Sequence, residues 1–200
     1  MLLTCDSYLL DDQALSLQPV FIGKNKSKII RIDGIYFSEE SQNSLLEKAC
    51  LRHGSTKQGR VDAVKEKMNY KHRTPLMIIP YTVGAFPTVS SEDLSCIWIF
   101  NHPVKIEELE KGKSRMTLLN GEEMIIPVSK HSLSNQKNKL YAALHVFEKL
   151  QTTERSGYSY GFYTGEGGQS RNKGETRGQE KSMKIAETKM SYHWIKKEKK

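Results

Sequence analysis

Residues 115–150 read RMTLLNGEEMIIPVSKHSLSNQKNKLYAALHVFEKL, and the apolar period changes half-way through. Asn120-Gly121 separates two apolar runs, 115–119 and 124–128. Asn-Gly tolerates the positive φ angles of a two-residue turn, so this is the clearest hairpin in the chain. After it, Ser132 is placed to cap a helix, and Leu140, Ala143, Leu144, Phe147 and Leu150 recur three and four apart on one face. The spacing predicts the longest helix of the protein, ending at about residue 150. A hairpin followed directly by a long helix, without βαβ alternation, indicates an α+β fold.

Upstream, residues 14–22 and 28–32 are apolar-rich strands, and Asp33-Gly34 turns the chain into residues 35–37 as a second hairpin. Ser41 is placed to cap a helix running to about His53, with Leu45, Leu46, Ala49 and Cys50 on its apolar face and Gly54 to end it. Residues 60–68 suit a second, short basic helix with Val61, Val64 and Met68 inward. Pro75 breaks that pattern, residues 76–79 read as a buried strand closed by Pro80, and residues 96–100 read as another. Phe86, Pro87 and Thr88 read as a structural turn, or as a loop carrying a wedge toward a ligand. The expectation is an antiparallel β-rich core with one short helix in the N-terminal half, a long closing helix and a flexible C-terminal tail.

The tail is a matter of composition. Seven of the fourteen glycines fall between residues 153 and 182, among Ser, Thr, Gln and charges. Such a segment cannot bury enough apolar surface to offset an ordering entropy of roughly 1–2 kcal/mol per residue. The expected division is therefore a folded domain over 1–152 and a basic flexible tail over 153–200. Within the tail, Ala186, Met190 and Trp194 beside Met183 and Ile195 spell either a basic amphipathic helix over 182–197 or a frayed end.

Charge narrows the partners. The chain has 31 Lys and Arg against 23 Asp and Glu, a net charge of +8, and the excess lies in two zones. Residues 51–80 carry seven bases (Arg52, Lys57, Arg60, Lys65, Lys67, Lys71 and Arg73) against two acids. Residues 151–200 carry eleven against six, while 81–150 balance. Two basic zones invite a polyanion. No apolar run reaches the 18 or so residues of a membrane span, and the start MLLTCDSYLLDD has no basic flank, so a cytoplasmic protein is expected. The three cysteines have no C-x-x-C spacing, which excludes a disulfide framework or zinc ribbon as a reading.

Enzyme signatures fare no better. Gly165-Glu166-Gly167-Gly168 lacks the following Lys-Ser/Thr and the strand-to-helix setting of a phosphate loop. Cys50 and His53 lie on one helix with no third group, and Cys96, His102 and His131 match no metal-ligand spacing. No catalysis, cofactor or metal is expected.

A family resemblance names the polyanion. Leu46-Glu47-Lys48-Ala49-Cys50, Gly54-Ser55, Gly59-Arg60 and Thr74-Pro75-Leu76-Met77-Ile78 resemble the ComK family of competence transcription factors of Gram-positive bacteria. The similarity continues through Phe86-Pro87-Thr88-Val89-Ser90-Ser91, Cys96-Ile97-Trp98-Ile99, Asn120-Gly121, Pro127-Val128-Ser129 and Ser132-x-x-Asn135-Gln136. It covers about residues 27–150; the first ten residues and the segment beyond 152 depart from it. The resemblance implies a sequence-specific activator of DNA-uptake genes that binds paired A-run and T-run boxes of duplex DNA through the minor groove. It further implies dimers that assemble in pairs, an effect on RNA polymerase, and adaptor-guided proteolysis. A/T tracts have a narrow minor groove of enhanced negative potential, which suits the positive charge.

The seven bases of 51–80 are the candidate DNA contacts. Arg60 is foremost, because it lies in the matched stretch and follows a glycine that lets backbone approach a partner closely. Lys137 and Lys139 stand behind them, and Trp98, among Ile97, Ile99 and Phe100, is expected in the core. Two other classes compete: a diverged paralogue that pairs with another activator, and a general RNA- or single-strand-binding protein.

Overall fold

A computed structural model describes residues 6–157. A 3₁₀ turn (Asp6–Leu9) leads into β1 (Ala14–Ile22), β2 (Asn25–Arg31) and β3 (Ile35–Ser38), followed by α1 (Gln42–Arg52) and α2 (Lys57–Met68). Then come β4 (Leu76–Ile79), β5 (Val83–Pro87), β6 (Trp98–Phe100), β7 (Lys105–Glu110), β8 (Lys113–Thr117), β9 (Glu123–Ile126) and α3 (Lys130–Gly157). The strands form a six-stranded sheet in the order β3-β2-β1-β6-β5-β4 and a three-stranded sheet β7-β8-β9. Every pairing is antiparallel. The α+β expectation holds.

Apart from the edge strand β3 and the end of β1, the large sheet is buried on both faces, its strands sending alternate residues to opposite sides. Leu17, Ile29, Leu76, Ile78, Ala85, Trp98 and Phe100 form one core with Leu45, Leu46, Ala49 and Cys50 of α1. Ile30, Met77, Phe86 and Ile99 form the other, with Leu133, Leu140, Ala143 and Leu144 of α3 and with Met116, Leu118 and Ile126 of the small sheet. Trp98 is a core residue, 1% exposed. In β1, Ala14 pairs with Arg31 and Ser16 with Ile30, which leaves Leu15 as a bulge. That extra residue sends Leu15 to the α3 side while Ala14 and Leu17 face α1.

Helix ends follow capping chemistry. Ser41 Oγ accepts from the Ser44 amide at 3.3 Å, and Gly54, at φ +80, ends α1 in the left-handed region. The second helix starts earlier than residue 60, because Thr56 Oγ1 accepts from the Gly59 amide at 2.9 Å. It also lies against the edge strand β4, with Val64 fully buried and Val61 and Met68 packed on the two cores. Ser129, not Ser132, caps α3: its Oγ accepts from the Ser132 amide at 3.3 Å, and the Lys130 amide donates to Glu108 of β7. Beyond residue 150 no Gly or Pro intervenes, and α3 continues to Gly157.

Two expectations are corrected further. Phe86, Pro87 and Thr88 are neither a turn nor a wedge: Phe86 and Pro87 belong to β5, and Phe86 and Thr88 are each 1% exposed. Strand β6 is shorter than 96–100, because the Cys96 amide donates a hydrogen bond to the Asp93 carbonyl and holds that residue in a turn. Strand β7 was not foreseen at all. The expected tail and its helix over 182–197 lie outside the described residues.

One buried base organises the end of the sheet where β1 begins. Arg31, 6% exposed, pairs with Asp11 at 2.6 Å and Asp33 at 3.0 Å and donates to the Leu9 carbonyl at 2.8 Å. Its own carbonyl accepts from Asn120 of the β8–β9 turn, so one residue ties three segments together.

Candidate nucleic-acid interface

Strand register gathers the basic loops at one end of the large sheet. β1 ends at that end in the Gly23-Lys24 turn, since Ile22 pairs with Asn25. Leu17 pairs with Trp98, Pro87 with Trp98 and Leu76 with Ala85. Hence β6 and β4 begin, and β5 ends, at the same end as that turn. The β1–β2 turn, the loop 88–97 and the loop 69–75 therefore emerge together, although they are far apart in sequence.

Loop 69–75 carries much of the charge. Asn69 closes α2 in the left-handed region at φ 52, and Arg73 also has a positive φ of 48. Between them Lys71, His72 and Arg73 are exposed, while Thr74 and Pro75 dive into the protein. His72, Arg73, Ser90, Gln136 and Lys139 line a cleft of about 500 Å³. Lys139 Nζ donates to the His72 carbonyl at 3.0 Å and lies over the Tyr70 ring at 5.1 Å, which fastens α3 to the loop. The cleft is cationic on both walls.

The seven predicted bases are not one surface. Arg52 donates from both terminal nitrogens to Ser7 and stacks over Tyr8 at 4.2 Å, holding the 3₁₀ turn to α1. Lys57 donates to Asn43 at 2.7 Å and lies 5.7 Å from the Trp98 ring centre, and its amide donates to Glu47. Arg60 donates to the His53 carbonyl at the end of α1, and its Nε is buried without a partner. Burial, then Arg52 and Arg60, hold the His53 imidazole below its ordinary value. Lys65 is exposed within 3.9 Å of Asp62, and Lys67 is exposed on the last turn of α2. Lys71 and Arg73 alone of the seven lie in the loop at the cleft.

Three bases were missed by the sequence reading. Lys24, Lys26 and Lys28 alternate along the β1–β2 hairpin, the first two exposed. Their period of two was the available signal. It was diluted because residues 21–50, summed together, carry five bases and four acids.

The residues weighed for catalysis or metal binding are taken up elsewhere. Cys50 and Cys96 are buried, and desolvation pushes both thiols up to about 11. His102 Nε2 donates to the Asp12 carbonyl at 2.7 Å, and His131 Nε2 accepts from Asn135 at 3.0 Å. No helix among the described residues is long and apolar enough to cross a membrane.

Similarity to known proteins gives the family. The family profile described as "ComK protein" matches residues 5–152. The chain belongs to the ComK family. The match begins upstream of where the resemblance was legible, so residues 5–10 fall within the ComK pattern after all. The "Competence transcription factor" of Bacillus subtilis (strain 168) is 30% identical over 134 residues, 66% of this chain and 70% of that relative. No solved structure matches the ComK-family chain.

Proposed function

We propose that this ComK-family transcription factor binds AT-rich duplex DNA with the end of its large sheet that carries loop 69–75, and thereby activates genes for DNA uptake in the cytoplasm. The family supplies the class of function, and the cationic cleft supplies the surface. The single observation that carries the reading is that Arg73 of loop 69–75, close to the exposed Lys71, shares one open cleft with Lys139 of α3. Phosphates give such a surface salt-sensitive affinity, and the narrow minor groove of A/T tracts attracts an exposed arginine. Arg73 is that arginine: it is exposed and has no ion pair among the described residues. Lys65, Lys67, Lys71 and Lys139 serve the phosphates, while Arg52, Lys57 and Arg60 hold the helices that set the surface. Binding as dimers in pairs, an action on RNA polymerase and adaptor-guided proteolysis belong to the same reading, as does a domain over 1–152 with a basic tail over 153–200.

Anisotropy titration of the full chain against three probes tests this: an A-run/T-run duplex, a GC-rich duplex of equal length, and a single strand. The AT-rich duplex should bind at least about tenfold more tightly, ~1.4 kcal/mol. Equal affinity for the two duplexes, or tightest binding to the single strand, overturns the reading. Arg73→Gln should weaken AT-rich binding about tenfold with an unchanged melting curve.

A further inference from the structure

The β1–β2 hairpin outruns its sheet. β6 pairs with β1 no further than Leu17, and β3 pairs with β2 no further than Ser27. Beyond those points the two strands have only each other as β partners. Because Ser27 pairs with Pro19, residues 20–22 are the part of β1 beyond the last pair shared with a third strand, and at about 3.3 Å per residue they project roughly 10 Å.

The tip of this ribbon is unusual in its chemistry. Phe21 is 80% exposed and its neighbour Ile22 is 63% exposed. A bulge lies just before them, because Pro19 pairs with Ser27 and Ile22 with Asn25, so Val20 and Phe21 together oppose Lys26. Bulges of this kind re-aim side chains. Two large apolar groups at the end of a narrow ribbon contribute nothing to either core. They are surrounded by positive charge: Lys24 and Lys26 are exposed, and Lys28 follows on the same strand face. Glu39 is the acid that shares a hollow of about 450 Å³ with Phe21, Gly23, Lys24, Asn25 and Lys26. Leu94, 81% exposed on loop 88–97, offers another apolar point at this end, but Glu92 and Asp93 precede it and would repel phosphates.

We propose that the hairpin tip is a DNA wedge, in which Phe21 and Ile22 enter a base step from the minor groove while Lys24 and Lys26 neutralise the flanking phosphates. The proposal rests on duplex DNA being the ligand, as argued above. Apolar wedges of this type partly unstack a step and kink the duplex, and pyrimidine–purine steps such as TA yield most easily. The two lysines make the tip complementary to the walls of the groove, which a hydrophobic protein partner would not require.

The test uses the full chain and an AT-rich duplex with 2-aminopurine in a central TA step, with bending read by end-to-end energy transfer. Wild-type binding should raise the 2-aminopurine emission severalfold and bend the duplex by tens of degrees. Phe21→Ala combined with Ile22→Ala should abolish both signals, weaken binding about tenfold and leave the salt slope unchanged. Lys24→Gln combined with Lys26→Gln should flatten the salt slope by about two units and keep the emission rise in the bound complex. Wild-type emission and affinity in the Phe21/Ile22 variant overturn the wedge. So does a variant that sediments as a smaller species while still bending DNA, since the tip would then be a contact between copies. A wild-type chain that binds AT-rich and GC-rich duplexes alike fails the reading of the ligand instead, and the two failures are thereby told apart.

Discussion

Arg60 and Arg73 belong to the same basic zone, yet their surroundings assign them different work. The Arg60 side chain lies along α1 and satisfies the His53 carbonyl, one of the helix-terminal acceptors that have no partner within the helix. Arg73 sits exposed in a loop, in the left-handed region, with nothing to hold up. Arg60→Ala should therefore lower unfolding free energy by about 1–2 kcal/mol in a urea titration. Any loss of DNA affinity would accompany that loss of stability. An unchanged urea midpoint would return Arg60 to the list of direct contacts. In sequence the two arginines look alike, and Gly59 before Arg60 even favours the one whose side chain is engaged within the fold. Gly59 is where α2 is capped: a Cβ there would lie 2.9 Å from Ser55 Oγ and 3.2 Å from Thr56 Oγ1.

At the scale of elements, the legible pieces were those with local punctuation. Asn120-Gly121 and Asp33-Gly34 each turn a hairpin, with Gly121 at φ +88. Ser41 and Gly54 bracket α1 as their chemistry dictates. The missed strands lacked that punctuation. β7 is KIEELE, with three glutamates and no β-branched residue beyond Ile106, and it becomes a strand because β8 is there to pair with it. β5 is VGAFP, whose Phe86 and Pro87 read with Thr88 as a turn; it is a strand because β4 and β6 pair with it on either side, and Gly84 is a point of close approach between layers. A Cβ on Gly84 would lie 2.7 Å from Leu140 Cδ1 and 3.3 Å from the Leu76 carbonyl oxygen. Gly84→Val should destabilise the protein by about 1–3 kcal/mol through overpacking of α3 against the sheet. Calorimetry checks this, and an unaltered transition would mean that α3 shifts freely on β5.

For the whole molecule, the net charge of +8 is less informative than where the fold brings the bases. Lys24, Lys26, Lys71, Arg73 and Lys139 come from three segments and share one end of the sheet. If the four lysines meet phosphates, replacing them together with Gln should flatten the slope of log K against log salt by about 3.6. A change smaller than about two units would place the electrostatic footprint elsewhere.

The sequence by itself determined the class of fold, the main turns and helix faces, the presence of two basic zones and the resemblance to ComK proteins. Those properties follow from local periodicity, from capping and turn residues, and from order along the chain. Only the tertiary structure decided which bases lie together. Antiparallel register carries residues 24 and 73 to one end, and the bond from Lys139 to the His72 carbonyl joins α3 to them, while packing turns Arg52, Lys57 and Arg60 to carbonyls, side chains and rings of the N-terminal segment, α1 and the core. Proximity across a sheet depends on long-range pairing, and no window of sequence contains it.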